Sequence, residues 1–152
     1  MSIGTLKSAR AYAANYDIET WIHLFLHGEG DNLGLSEGLQ LRKRYWCGPV
    51  EIKTDLLERV VGPEPDMEYV ENEDWWNANI DQICERLKNG WDMPPLIIEN
   101  RSGLLSVRDG NHRLGALQKL NHETCFVLIW DDHGVEHIWK AVQTSMRAGE
   151  TI

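Results

Sequence analysis

The chain has 152 residues, 42% of them hydrophobic and seven of them tryptophan, with a formal net charge of −9. That length suits one domain with a sizeable core, and that composition excludes a disordered chain. The charge excludes a surface built to neutralise many nucleic-acid phosphates, because no basic run exceeds Arg42-Lys43-Arg44.

No apolar run reaches the length of a membrane span, and no signal peptide precedes the first charged residues. A cytoplasmic location without membrane partners is expected. Cys47, Cys84 and Cys125 show no C-x-x-C spacing and read as reduced, structural thiols.

In chain order, the section up to about Tyr45 reads as helical. Ile18, Trp21, Ile22, Phe25 and Leu26 recur at i, i+3, i+4, i+7 and i+8 and predict a helix ended by Gly28. His23 and His27 flank that stripe and read as satisfied or solvated histidines; with His133 and His137 they would make a zinc site only if the terminal segments met. A second short helical piece is expected around residues 37–43. Just ahead of it, Gly34-Leu35-Ser36-Glu37-Gly38 has the spacing of a nucleophile elbow but lacks the strand that motif requires.

Gly48-Pro49 breaks the chain, and residues 50–53 predict the first strand. Residues 55–61 predict a short helix, followed by an irregular Gly62-Pro63-Glu64-Pro65-Asp66 loop. Asn72 is expected to cap a helix with Trp76, Ile80, Ile83 and Leu87 as its buried stripe, stopped at Asn89-Gly90. Trp75 is then left outside the stripe, free to pack or to stack on an adenine. Residues 96–99 and 104–108 predict a hairpin and residues 125–130 a further strand. A last helix carries Val135, Ile138, Trp139, Val142 and Met146 on one face.

The most informative stretch is Asp109-Gly110-Asn111-His112-Arg113, which breaks an apolar strand and leads into Leu114, Leu117 and Leu120 at helical spacing. The first amides of a helix lack intrahelical partners and sit at the positive end of its dipole. His112 adds a ring donor there and Arg113 a planar fork of donors, which suits a phosphate or another oxyanion. The alternative is that Asp109 simply caps the helix and that His112 and Arg113 are solvated first-turn residues. If the strands before and after this helix pair in parallel, Asp131, Asp132 and His133 emerge beside Asp109. The two carboxylates, Asp131 and Asp132, would then suit Mg²⁺ against a phosphate. The competing expectation is that Asp131-Asp132-His133-Gly134 is a polar turn capping the last helix.

The run from Pro94-Pro95-Leu96-Ile97-Ile98 through Ser102-Gly103, VRDGNHRLGAL and CFVLIW resembles the ParB/sulfiredoxin superfamily over about residues 50–130. The resemblance implies an α/β (α+β) fold with a small mixed sheet packed by helices. That domain would span 48–152, with an added N-terminal helical extension over 1–47, the two forming a single unit. It also implies that Asp109, Gly110, Asn111, His112 and Arg113 open a helix and hold nucleotide phosphates. Sulfiredoxins carry a reactive Cys where this chain has Asn111, so sulfinic-acid reduction is not implied. The partition proteins, which bind CTP and DNA, carry a Gly-Glu-Arg-Arg version that is absent here, and DNA is not expected as a partner.

Nearest is the Asp-Gly-His-His-Arg version of the free-serine kinases, from which this chain departs only at Asn111. That version implies a phosphotransferase using ATP or ADP with Mg²⁺ and a small hydroxylated acceptor. It implies Glu64, in the loop after the first strand, as the catalytic base, with Glu68 as a competitor. The alternative is a nucleotide-binding regulatory module without chemistry. On either reading Arg113 is expected in an exposed first turn, where its removal would abolish binding and spare the fold.

Overall fold

Thr5, Asn32 and Asn72 each accept the backbone N–H three residues further on, and each starts a helix. A computed structural model describes residues 2–150. Its elements are α1 (Leu6–Ala14), α2 (Ile18–His27), α3 (Leu33–Leu39), β1 (Tyr45–Lys53), β2 (Val61–Gly62), β3 (Tyr69–Val70), α4 (Glu73–Lys88), β4 (Leu96–Arg101), β5 (Leu104–Asp109), α5 (Asn111–Lys119), β6 (Thr124–Asp131) and α6 (Val135–Glu150). Among the described residues no helix is long and apolar enough to cross a membrane.

The main sheet is mixed, with four strands in the order β1-β6-β4-β5. The hairpin pairs β4 with β5 antiparallel, β6 lies parallel to β4, and β1 closes the other edge antiparallel to β6. The expected parallel pairing of β5 with β6 is therefore not formed. The tight Ser102-Gly103 turn, both residues at positive φ, keeps β4 beside β5, and the free edge of β4 takes up β6. In consequence β5 and β6 run in opposite directions, and Asp109 and Asp131 lie at opposite ends of the sheet.

Both faces of the sheet are covered. Ile98, Leu105, Val107, Val127 and Ile129 meet Leu114 and Leu117 of α5 and Ile138, Ala141 and Val142 of α6. On the other face Ile97, Leu128 and Trp130 meet Trp21, Ile22, Phe25 and Leu26 of α2 and Ala9 of α1. The N-terminal helices thus share a core with the sheet, and the expected boundary at 47/48 falls inside β1. On the outside, Trp76, Ile80 and Cys84 of α4 pack against Ala116 of α5.

Three local expectations are corrected. In place of a helix over 55–61 there is only a short 3₁₀ turn, Thr54–Leu56. Beyond it Glu58 exchanges backbone hydrogen bonds with Leu105 and Val107, both at 2.9 Å, and covers the edge of β5. The piece expected at 37–43 starts earlier, because Asn32 supplies its cap. Among the described side chains of α6 only Ile138, Ala141 and Val142 are buried, whereas Val135, Trp139 and Met146 are exposed on the outward side.

Ser36 lies on helix α3, fully buried, so it is no nucleophile elbow. Its Oγ sits 2.7 Å from His23 Nδ1 and 3.1 Å from His27 Nε2, clasping α2 to α3. One hydroxyl donates to one ring and accepts from the other only while the accepting ring nitrogen is unprotonated. Burial holds His23 below its ordinary 6.5, Glu19 opposes that shift, and His27 adds to it. The unfolded chain therefore takes up this proton first as pH falls. The clasp contributes stability above about pH 6.5 and loses it as pH falls toward the depressed folded value. The urea midpoint is expected to fall between pH 7.5 and 5.5, and His23→Asn should flatten that dependence; an equal slope in the variant would remove His23 as its source.

Candidate functional site

Gly110 turns the chain from β5 into α5 at φ 104°, a left-handed conformation open to glycine. No side chain caps α5 among the described residues, and its first amide with a helical partner is Leu114 N–H, donating to Gly110 O at 2.8 Å. The amides of Asn111, His112 and Arg113 are left at the positive end of the helix. Next to them lies a cavity of about 280 Å³, walled by Phe25, Ile83, Trp91 and Pro94 and by the polar side chains of Asn79, Arg86, His112 and Arg113.

Arg113 does not stand in an exposed turn. It is 8% exposed, and Nη1 donates to Pro94 O at 2.6 Å while Nη2 donates to Asp109 Oδ2 at 2.9 Å. Its guanidinium lies 5.6 Å from the Phe25 ring centroid. Burial lowers its pKa and Asp109 opposes the shift. The second oxygen of Asp109 accepts from Asn32 Nδ2 at 3.0 Å, so the N-terminal helices hold the motif directly. The free cation facing the cavity is instead Arg86, stacked 3.6 Å from the Trp91 ring centroid and in no ion pair among the described residues. Periodicity alone gave no sign of it, because Arg86 reads as an ordinary basic residue in the last turn of a helix.

Asn111 is buried and acts as a splint. Its Oδ1 accepts from Val60 N–H at 2.8 Å and Val61 N–H at 3.3 Å, and its Nδ2 donates to Val107 O at 3.0 Å. It therefore ties the β2–β3 segment to the start of α5. The end of that segment, Glu71, lies 2.7 Å from His112 Nε2. The His112 ring packs 4.8 Å from Trp76, which in turn carries Arg59 at 4.7 Å. Sequence reasoning missed Glu71, whose partner is 41 residues away.

The other expected site residues do not converge here. Glu64 is paired with Arg59, and this hydrogen-bonded partner holds its carboxyl below the usual range. It does not line the cavity. Glu68 is bound by Arg108 and Arg101 on the outer side of the sheet. Asp131 is buried and accepts from the amides of His133 and Gly134 and from Asn100 Nδ2. Asp132 is paired with Arg44 and Arg42. The expectation that these two aspartates meet the motif is overturned by the strand order, and the polar-turn alternative describes Asp131. No group of three or more His, Cys, Asp or Glu suited to a metal occurs among the described residues.

Neither a protein-family model nor a curated protein matches the chain. Among solved structures, the chain is similar to the C2221 form of a Pnob8-like ParB-N domain, at 16% identity and a TM-score of 0.42. The match covers 65% of this chain and 34% of that one, so the chain spans about a third of that structure's length.

Proposed function

We propose that the cavity at the start of α5 binds the phosphate groups of a nucleotide, and that the chain is a ParB/sulfiredoxin-like phosphotransferase acting on a small hydroxylated acceptor. The reading rests on one observation: uncapped helix amides open beside a cavity that also presents Arg86, a cation without an ion-pair partner among the described residues. The apolar walls are what a bound organic ligand requires. Mg²⁺ would arrive with the nucleotide. Of the lining carboxylates, Asp109 has both oxygens engaged, while Glu29 keeps Oε2 free of hydrogen bonds among the described residues. Mg²⁺ needs only one or two carboxylates beside phosphate oxygens, so Glu29 fits that role. The net charge of −9 argues against DNA as the ligand. Three free thiols support a reducing, cytoplasmic setting. A regulatory module without turnover is favoured only by the Asn32–Asp109 bond, which couples the site to the N-terminal helices.

Arg86 is exposed on α4, so Arg86→Ala should leave the fold unchanged. A charge-assisted contact to phosphate is worth about 1.5–3 kcal/mol. ADP affinity, measured by calorimetric titration with Mg²⁺, is therefore expected to fall by roughly 10- to 100-fold. Equal binding by wild type and variant, or no binding of ATP, ADP or CTP to wild type, removes this assignment.

A further inference from the structure

Among the described residues lining the cavity none carries a hydroxyl or thiol. In direct transfer to the hydroxylated acceptor proposed above, or to water, the attacking hydroxyl comes from outside and needs a proton acceptor. Three carboxylates near the motif are poor choices. Glu64 is locked to Arg59, both oxygens of Asp109 are engaged, and Glu29 has Oε1 held by Gly4 N–H and Ser2 Oγ and its free Oε2 assigned to Mg²⁺ above. His112 differs. It is the one imidazole lining the cavity, its Nε2 is fixed on Glu71, and its Nδ1 has no partner among the described residues.

We infer that His112 is the general base of this site and that Glu71 is its positioning residue. This rests on the phosphate-binding reading above. A carboxylate on one ring nitrogen fixes the tautomer, leaves the other nitrogen basic and stabilises the imidazolium once it forms. Both halves are held in place. Trp76 backs the ring, Glu71 N–H donates to Gly62 O at 2.8 Å, and Asn111 joins the segment bearing Glu71 to the helix bearing His112. In the step, Nδ1 takes the proton of the attacking hydroxyl as its oxygen bonds to the terminal phosphorus. The bond from that phosphorus to the bridging oxygen breaks, and the nucleoside diphosphate leaves with the electron pair. The imidazolium, balanced by Glu71, returns its proton to solvent. With water as acceptor the product is inorganic phosphate.

The test measures kcat and KM for phosphate release from ATP–Mg²⁺, alongside ADP titration, in wild type, His112→Gln and Glu71→Gln. General-base groups contribute about 10²–10⁴-fold. His112→Gln should therefore lose at least about 100-fold in release while still binding ADP. Glu71→Gln should bind ADP like wild type and keep the KM for ATP while kcat for release falls, a split that a purely structural role for Glu71 would not produce. If His112→Gln melts early, the kcat–KM split in Glu71→Gln decides. Full release by His112→Gln, an unchanged kcat in Glu71→Gln, or loss in Glu64→Gln alone overturns the inference. Wild type that binds ADP without releasing phosphate also overturns it and leaves the binding reading standing; wild type that binds nothing sinks both.

Discussion

Arg113→Ala is expected to destabilise the protein by about 3–5 kcal/mol, read as a lowered urea midpoint, the penalty typical of breaking a buried ion pair from one side. Only 9% of the Arg113 side chain and 11% of that of Asp109 are exposed, so water does little to screen the pair. The substitution leaves a buried carboxylate with Asn32 as its remaining partner and strips Pro94 O of its 2.6 Å donor. Lysine is a poor replacement, because a single ammonium cannot reproduce the planar fork that spans the carboxylate and the carbonyl. A variant with wild-type stability would mean that Arg113 is an exposed ligand group after all. Loss of nucleotide binding in Arg113→Ala is thus uninformative about contact, and Arg86 is the residue to probe.

Gly110→Ala should be nearly as damaging. An added Cβ would lie 2.5 Å from Leu96 Cδ2 and 2.9 Å from Arg113 Nη2, at φ 104°. Leu96 is wholly buried in the core, so its Cδ2 yields only by displacing packed neighbours. Left-handed backbone costs an L-residue about 1–2 kcal/mol, and overpacking adds about 1–3 kcal/mol. The melting temperature is expected to drop by on the order of 10 °C, with ADP affinity lost as Arg113 and the α5 amides are displaced. A drop of only a degree or two would show that the turn relaxes freely.

Local pattern made part of this molecule legible. The apolar stripe of α2, the Asn72 cap of α4 and the Ser102-Gly103 hairpin all depend on residues within a few positions of one another. The helix opened by Asn111 was equally plain. Strand order was not, since β5 and β6 are both apolar and their side chains do not say which neighbours they choose. Expecting consecutive strands to pair placed Asp131 and Asp132 at the wrong end. Arg113 misled for a related reason. A charged residue in a first turn is ordinarily solvated, and its burial depends on Pro94, 19 residues back, and on Phe25 in the N-terminal helices. The Glu71–His112 contact and the Arg86–cavity contact are likewise products of tertiary packing, with no periodicity to announce them.

The late position of β6 in the chain has a consequence for biosynthesis. This strand lies between β1 and β4, and among the described residues β1 has no other neighbour in the sheet. A nascent chain that has not yet released residues 124–131 from the ribosome carries β1 as an unpaired strand and β4 with one open edge. Ile52, Leu96, Ile97 and Ile98, all buried at completion, remain available to other chains during that interval. Closing the sheet requires contacts between distant parts of the sequence, which slows the final step. Chaperone demand should concentrate in that window, and chains cut short before β6 should aggregate rather than persist as a smaller domain.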